Sequence, residues 1–226
     1  MEQIQKYILK MVKEKQMNVL KIKNIKMKNK LLLLLLFVAQ IQMYFSQEYP
    51  LNTSPSDVSS YGYIKDINGE LNKYVGLWKG NWNGKTVYIE LKKNKKLYAG
   101  SNPYYIDEIV GERKIVNSNG AVEIDRISNF DNQNPEFWGL VTNLKNPSQK
   151  SLIFFIKNMC NKKAQLNITD FTNLIDINTG QLTPQMTLQF EYLPSIYDEN
   201  CIHNTYVQQY GDFPINFPKD IVLTKQ

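Results

Sequence analysis

Five acidic residues fall within one short stretch of the chain and are the first candidates for chemistry: Asp107, Glu108, Glu112, Glu123 and Asp125. The dipeptide Asn119-Gly120 between them is typical of a hairpin turn, which would bring Glu112 near Glu123 or Arg126. Two carboxylates that face one cleft can act as acid and base in glycoside hydrolysis. Neighbouring basic residues favour a simpler interpretation, in which cross-strand charge pairs lie on a solvent-facing surface. We therefore predict no catalytic residue here and keep a carboxylate-based hydrolase as the less favoured alternative.

The chain contains one histidine, His203, through which any Ser-His-Asp or Cys-His nucleophile system must run. No serine lies in a Gly-x-Ser-x-Gly turn, and there is no phosphate-binding glycine loop, metal-binding helix or cofactor fingerprint. We predict that His203 is a surface loop residue, that the protein is not an enzyme and that it binds no cofactor.

Cys160 and Cys201 are the only two cysteines, and both lie in polar, loop-like surroundings. An even number of cysteines in an exported chain favours a disulfide over the alternative of two unpaired thiols. The bond would close a loop of about 40 residues, which stabilises the fold by about 4 kcal/mol in the chain-entropy estimate. A metal site is not predicted, because the cysteines and His203 supply only three ligands at unsuitable spacing.

Three tryptophans, Trp78, Trp82 and Trp138, accompany many tyrosines and phenylalanines in strand-like segments. Aromatic side chains at alternating positions can line a cavity for an apolar ligand or a sugar. They can also fill the core, which is their commoner use in a small barrel. The tryptophans are therefore only weak candidates for ligand-binding residues.

The element that must position these residues is a β-hairpin in residues 74–93, with the sequence YVGLWKGNWNGKTVYIELKK. Asn83-Gly84 marks its turn, since a type I′ turn needs positive φ at both central positions. On the first arm Gly76, Trp78, Gly80 and Trp82 share one face. On the second arm the alternation continues through three aliphatic residues, Val87, Ile89 and Leu91.

Further alternating segments follow, separated by turn residues, and no long helix is predicted after residue 47. They amount to about eight to ten strands, which is typical of an antiparallel up-and-down β-barrel or a barrel-like sandwich. We predict one all-β domain over residues 71–226. A flexible leader rich in Ser, Pro, Asn, Asp and Gly is predicted at residues 47–70.

An apolar segment at residues 31–39 follows three lysines and is shorter than the roughly 20 residues needed to span a bilayer. This pattern is typical of a secretory signal peptide, predicted at residues 27–46 with Ser46 at the cleavage site. Met27 is a candidate start, and residues 1–26 are then a spurious or extended N-terminus. We expect a periplasmic or extracellular protein without a transmembrane anchor after cleavage.

The net charge of +6 arises at the front of the chain, where residues 1–46 contain nine Lys and two Glu. The remaining 18 Lys and Arg face 19 Asp and Glu, so the mature chain is nearly neutral. We therefore predict no nucleic-acid partner. A lysine cluster remains at residues 92–96, which we interpret as a solvated turn or as charges that protect a strand edge.

Gly76 and Trp78, which follow a short turn, resemble the Gly-x-Trp opening of lipocalin-like barrels. In those barrels the tryptophan packs across the closed end and the ligand enters at the other. Over residues 27–226 the chain also resembles a family of small secreted flavobacterial proteins of unassigned function. This second resemblance lies in the segments FSQE, YYIDEIVGERKIV and FPKDIVLTKQ and in the hairpin. It implies an exported β-barrel-like domain and no particular activity.

These observations predict an exported, non-enzymatic, monomeric β-barrel that binds a small apolar or amphipathic ligand. The alternative is a structural or interaction module of the cell envelope that acts through its outer surface. The two hypotheses differ in the interior of the barrel. A ligand carrier needs a cavity, whereas an interaction module has a filled core and an exposed aromatic patch of roughly several hundred Å².

Overall fold

The computed structural model describes residues 11, 13–17, 30, 47–142, 150–155, 160, 162–193, 200–211, 214–215 and 217–226. The chain divides into two units, Met1–Gln47 and Glu48–Gln226. In the first unit residues 13–17 are helical, and the predicted signal peptide lies outside the described residues apart from Lys30. No helix in the described part of the chain is long and apolar enough to cross a membrane.

The second unit is almost entirely β-structure. Its strands are β1 (Glu48–Pro50), β2 (Tyr63–Lys65), β3 (Gly76–Trp82), β4 (Lys85–Tyr98), β5 (Tyr104–Val116), β6 (Val122–Asp125), β7 (Phe137–Thr142), β8 (Lys150–Phe155), β9 (Lys163–Ile175), β10 (Leu182–Tyr192) and β11 (Asp220–Lys225). The described helical elements of this unit are two 3-10 helices, Pro55–Asp57 and Ile127–Asn129, and one α-helix, Asn204–Tyr210.

Eight strands form a closed antiparallel barrel in the order β3-β4-β5-β7-β8-β9-β10-β11. Neighbours in the barrel follow one another along the chain, except that β6 forms a separate hairpin with β5. The barrel closes where β11 pairs with β3, with Lys225 opposite Trp78. The amide of Gln226 extends this closure by donating to the carbonyl of Leu77 at 2.9 Å. The predicted all-β up-and-down barrel is confirmed.

The β3–β4 hairpin has the predicted turn and the predicted faces. Asn83 and Gly84 both have left-handed φ angles, 48° and 77°. Trp78 on β3 and Val87 on β4 face the interior and are fully buried. Lys79, which follows Trp78 and faces the other side of the sheet, is exposed. The period of two along the sequence therefore separates core from solvent, as it should in a half-buried strand.

Side chains fill the middle of the barrel. Several large residues are less than 2 % exposed: Trp78, Ile89, Leu91, Ile109, Leu152, Leu166 and Met186. One end, which we call the aromatic end, is closed by the rings of Phe137, Phe154, Phe190 and Phe217. The Phe154 centroid lies 4.7 Å from that of Phe137 and 5.2 Å from that of Phe217. We call the opposite end, at the beginnings of β3 and β8, the open end.

The leader at residues 47–70, which the sequence predicts to be flexible, instead contributes β1 and β2 to the sheet. β2 pairs in parallel with β5, Tyr63 opposite Tyr105 and Ile64 opposite Ile106, and β1 pairs in parallel with β2. Ile64 is 1 % exposed, so this pairing also adds to the buried apolar surface. Each strand has only three residues, which is too short for alternation to show in the sequence.

Asp66 fixes the turn between the leader and β3. Its carboxylate accepts hydrogen bonds from the amides of Glu70 at 2.6 Å and Leu71 at 3.2 Å. The Nζ of Lys93 lies 3.2 Å from the same carboxylate. These contacts place Leu71 and Tyr74, both buried, across the open end of the barrel.

Cys160 and Cys201 form a disulfide, as predicted, with Cα atoms 5.6 Å apart and a separation of 41 in the sequence. A loop of this length corresponds to about 4 kcal/mol of stabilisation in the chain-entropy estimate. Cys201 directly precedes the segment that leads into the helix Asn204–Tyr210. The bond therefore ties this helical segment to the β8–β9 connection.

Barrel closure generates a testable prediction at Gly80. A Cβ added there would lie 2.5 Å from the carbonyl oxygen of Val222 and 2.9 Å from Cδ2 of Leu223, so β11 can approach β3 only because Gly80 has no side chain. We expect Gly80→Ala to lower the free energy of unfolding by about 1–3 kcal/mol, the usual range for overpacking. Urea denaturation followed by tryptophan fluorescence measures this.

Gly100→Ala is the matched control, because a Cβ at Gly100 meets no atom within 4 Å. It should leave the unfolding midpoint almost unchanged. Equal midpoints for the two variants would contradict the close approach of β11 at Gly80.

Candidate functional site

A pocket of about 1000 Å³ lies at the open end. One edge of β5 pairs with β4 along its whole length, and the position of the pocket follows from how the opposite edge is paired. β2 pairs with this edge at Tyr105 and Ile106, and β7 pairs with it from Ile109 to Gly111. Asp107 and Glu108 lie between the two sets of pairs, and both line the pocket. The pocket thus lies beside the part of β5 where pairing with β2 has ended and pairing with β7 has not yet begun.

The apolar side of the pocket is formed by residues that also belong to the core, Leu71, Tyr74, Ile168 and Phe171. The rings of Tyr74 and Phe171 meet edge to face with centroids 5.4 Å apart. Beneath them lies Trp78, whose Nε1 donates to the carbonyl of Tyr74 at 2.7 Å. Trp78 therefore supports the floor of the pocket without lining it.

The Gly-x-Trp resemblance implies that this tryptophan packs at the end opposite the ligand entrance. In the structure Trp78 lies instead on the pocket side, in contact with Phe171 at a centroid distance of 6.0 Å. The opposite end is closed by the phenylalanines of the aromatic end. The physical reason is the turn fixed by Asp66, which brings Tyr74 over Trp78 at the open end.

Asp107 has a structural role. Its carboxylate accepts hydrogen bonds from the Tyr63 hydroxyl and from the amide of Asp66 at 3.0 Å. Burial and the adjacent Asp107 carboxylate raise the pKa of Tyr63 above its ordinary value. These contacts hold β2 against β5 beside the pocket.

Glu108 is 4 % exposed and differs from the other four predicted carboxylates in its contacts. The Tyr98 hydroxyl donates to Oε2 at 3.0 Å, and the Nζ of Lys96 lies 3.5 Å from Oε1. No hydrogen bond reaches Oε1 from the residues that the structure describes. Burial raises the pKa of Glu108, which Lys96 and Tyr98 offset only in part. Burial also raises the pKa of Tyr98.

Aromatic rings lie beside the ion pair of Glu108 and Lys96. Tyr98 stacks on Tyr104 with centroids 5.4 Å apart and planes inclined by 7°. The Nζ of Lys96 lies 5.2 Å from the Tyr98 centroid and 5.4 Å from the Trp138 centroid. Of the three predicted tryptophans, Trp138 lines the pocket, whereas Trp78 does not and the half-buried Trp82 packs at the far end of β3.

The other carboxylates pair with cations, as the sequence interpretation expects. Glu123 lies 2.7 Å from Lys85, and Asp125 lies 2.8 Å from Lys114. Glu112 lies 2.8 Å from Arg126, but it is fully buried, so its predicted place on a solvent-facing surface is wrong. The cause is the β6–β7 connection, which folds back over β5 and covers it.

This connection brings a second buried ion pair against Glu112. Arg113 lies 3.0 Å from Glu136, and Arg126 lies 3.6 Å from the other oxygen of Glu136. Burial lowers the pKa of Arg113 and raises that of Glu136, each offset in part by its partner. The guanidinium of Arg113 also lies 5.0 Å over the ring of Phe154 at the aromatic end. We interpret this cluster as structural, since it does not line the pocket.

The remaining predicted positions lie away from the pocket. His203 is half-buried and precedes the helix Asn204–Tyr210, where its carbonyl accepts from Val207 at 2.9 Å. Within the described residues, no group of three or more His, Cys, Asp or Glu side chains is placed to hold a metal ion.

The lysine cluster at residues 92–96 is not a turn, because it lies inside β4. The Nζ of Lys92 lies 3.9 Å from the Phe130 centroid, and that of Lys95 lies 3.9 Å from the Tyr63 centroid. These contacts with aromatic rings explain how a strand tolerates four lysines. The sequence interpretation missed Lys96 and Tyr98 as site residues, and the alternation of charged and aromatic residues along β4 is the only local signal for them.

Comparison with known proteins identifies one family. Residues 27–226 match the model of a family of unknown function, DUF6705. No curated protein and no solved structure matches the chain significantly.

The raised pKa of Glu108 generates a prediction for stability against pH. Ionising this carboxyl opposes folding above its raised pKa and has no effect below the ordinary value of 4.5. We therefore expect Glu108→Gln to unfold at higher urea concentration than the native protein at neutral pH. The difference should vanish as the pH falls below 4.5.

Asp125→Asn is the control with opposite sign. Lys114 and Ser128 lower the pKa of Asp125 from its ordinary value of 3.8 to about 2, so its stabilising contribution is complete above pH 3.8 and is lost as the pH falls from there through about 2. This variant should be less stable than the native protein at neutral pH. An equal loss of stability for Glu108→Gln at both pH values would show that the carboxylate is a structural member of the fold.

Proposed function

We propose that this chain, which belongs to the DUF6705 family, is an exported, non-enzymatic barrel protein that binds a small apolar or amphipathic ligand at the open end. The observation that carries the proposal is the pocket of about 1000 Å³ above an otherwise filled barrel. Pockets of this size are typical of sites for small organic molecules.

The lining of the pocket supports an amphipathic rather than a purely apolar ligand. Leu71, Ile168 and Phe171 offer apolar contact on one side, and Glu108 and Tyr98 offer polar groups on another. Because the floor is built from core residues that are packed from below, it is pre-formed and binding requires little ordering of side chains.

A binding role is favoured over hydrolysis by the contacts of the carboxylates. Asp107 and Glu108 are the two predicted acidic residues that line the pocket, but they are consecutive in β5 and their side chains leave the strand on opposite faces. A carboxylate pair for glycoside hydrolysis must face the same bond from two sides. Asp107 is moreover engaged with Tyr63 and Asp66.

Export is supported by the disulfide between Cys160 and Cys201, because such bonds persist in oxidising compartments and are rare in the reducing cytosol. The predicted signal peptide at residues 27–46 also supports export.

A second candidate function, interaction through the outer surface, is favoured by one observation. The end of the β9–β10 hairpin exposes four apolar residues, Leu174, Ile175, Ile177 and Leu182, of which Ile177 is 97 % exposed. Exposed apolar clusters of this kind are common at protein interaction sites. A dye-binding titration distinguishes this outer-surface function from binding in the pocket.

Binding of the neutral dye 1-N-phenylnaphthylamine tests the leading proposal, since its fluorescence rises in apolar surroundings. We expect saturable binding of one dye per chain. Thr169→Trp should weaken binding at least about tenfold, because Thr169 lines the pocket and an indole there fills part of it. Fluorescence titration gives both the affinity and the stoichiometry.

Thr172→Trp is the matched control, because Thr172 is exposed on the same strand and does not line the pocket. It should bind dye like the native protein. If Thr169→Trp has no effect and Ile175→Lys with Leu182→Lys abolishes the signal, the dye binds the hairpin end and the outer-surface function is favoured. Absence of any saturable signal overturns the pocket proposal.

A further inference from the structure

We propose that the pocket selects ligands that carry an organic cation, such as a primary or quaternary ammonium group, in a subsite formed by Glu108, Tyr98 and Trp138. This inference rests on the proposed function, since it names the head group of the ligand that the pocket holds. It follows from three properties of the subsite: a buried carboxylate with unused hydrogen-bonding capacity, aromatic rings beside it, and an ammonium group of the chain itself that already lies there.

The carboxylate of Glu108 supplies the negative charge. The residue is 4 % exposed and lines the pocket. Its Oε2 accepts from Tyr98, but Oε1 receives no hydrogen bond from the described residues. A buried carboxylate oxygen normally accepts hydrogen bonds, and leaving it without one opposes folding. The N–H of a primary ammonium ligand would donate this hydrogen bond to Oε1, whereas a quaternary ammonium group would offer the carboxylate its charge alone.

The rings of Tyr98 and Trp138 supply the second element of cation recognition. A cation within about 6 Å of an aromatic centroid is attracted by the quadrupole of the ring, and the attraction increases as water is removed. Tyr98 is held in place by its hydrogen bond to Glu108 and by stacking on Tyr104. The carboxylate and the rings therefore form a partly closed cage with fixed geometry.

Lys96 shows that the cage accepts an ammonium group. Its Nζ lies 3.5 Å from Glu108 Oε1, 5.2 Å from the Tyr98 centroid and 5.4 Å from the Trp138 centroid. The Lys96 side chain is 35 % exposed, and the 3.5 Å separation is longer than a charge-assisted hydrogen bond. Lys96 is therefore held less firmly than a charge-assisted hydrogen bond would hold it, and a ligand cation that takes its place keeps the buried Glu108 carboxylate paired.

The charge of the whole pocket also favours a cation. Four lining residues are acidic and two are basic: Glu70, Asp107, Glu108, Asp170, Lys73 and Lys150. Lys73 lies over the Tyr74 and Phe171 rings at 4.9 and 5.1 Å, on the apolar side of the pocket. The same pocket thus offers an acidic, aromatic subsite for a head group and an apolar floor for a hydrocarbon chain.

Three probes with the same hydrocarbon chain test the inference: decyltrimethylammonium, 1-decanol and decanoate, each below its micelle-forming concentration. They compete with 1-N-phenylnaphthylamine for the native protein. We expect the ammonium probe to displace the dye at about tenfold lower concentration than 1-decanol, and decanoate to be the weakest competitor.

Two variants locate this selectivity. Glu108→Gln should reduce the preference for the ammonium probe over 1-decanol to about one, because it removes the charge and keeps the shape. Lys96→Met should strengthen binding of the ammonium probe several-fold, because the internal competitor is absent. An increase for Lys96→Met that the Lys92→Met variant does not share is the decisive result, because both substitutions remove one positive charge and only Lys96 lies against Glu108.

Lys92→Met is the matched control for Lys96→Met. Lys92 lies four positions earlier on the same face of β4, where its Nζ is 3.3 Å from Glu90 and 3.9 Å from the Phe130 centroid, and neither of these two residues lines the pocket. Glu123→Gln is the control for Glu108→Gln, because Glu123 pairs with Lys85 away from the pocket. Both controls should keep the native order of the three probes.

Several results would overturn the inference. Equal displacement by the three probes would leave an apolar pocket without head-group selectivity, and the proposed function would stand. Preference for decanoate together with weaker binding in Lys96→Met would make Lys96 an anion-binding residue. If the dye itself does not bind, the proposed function fails as well, so the two failures are distinguishable.

Discussion

A closed antiparallel barrel must pair both edges of every strand, and in this protein β5 meets that requirement with several short partners on one edge. β4 pairs with the whole length of β5 on one side. On the other side β2, β7 and β6 follow one another, each over two or three residues. Between successive partners the backbone of β5 has a short interval without a strand beside it. Both chemically distinctive regions of the protein lie at these intervals.

The two intervals are treated in opposite ways. At Glu112 and Arg113, between β7 and β6, the interval is closed by the ion pairs with Arg126 and Glu136. Buried pairs of this kind are held in place because each charge would be costly alone. At Asp107 and Glu108, between β2 and β7, Asp107 accepts hydrogen bonds at both carboxylate oxygens, and the interval remains as part of the pocket. The interval between β7 and β6 is therefore closed by buried ion pairs, and the interval between β2 and β7 is open to the pocket.

Features that depend on local sequence could be predicted, and features that depend on distant pairing could not. The turn at Asn83-Gly84 and the inward face of Trp78 follow from residue type and alternation. Glu112 and Glu123, by contrast, lie on either side of the same predicted turn, yet one is fully buried and the other is partly exposed. The difference arises because Arg126 folds back over β5. The pocket could not be predicted from the sequence for the same reason, because it forms only when the leader pairs with β5 and Asp66 fixes the turn before β3.

The closure of the barrel also has a consequence for how the chain acquires its structure. β3 is the first strand of the barrel along the chain and β11 is the last, so the contact between Trp78 and Lys225 connects residues from opposite ends of the domain. Such distant pairing is slow, because a long loop must be ordered before the contact forms. Until β11 pairs with β3, the other seven strands of the barrel can form only an open sheet. The buried face of Trp78 and the floor of the pocket are therefore completed in the same, final step.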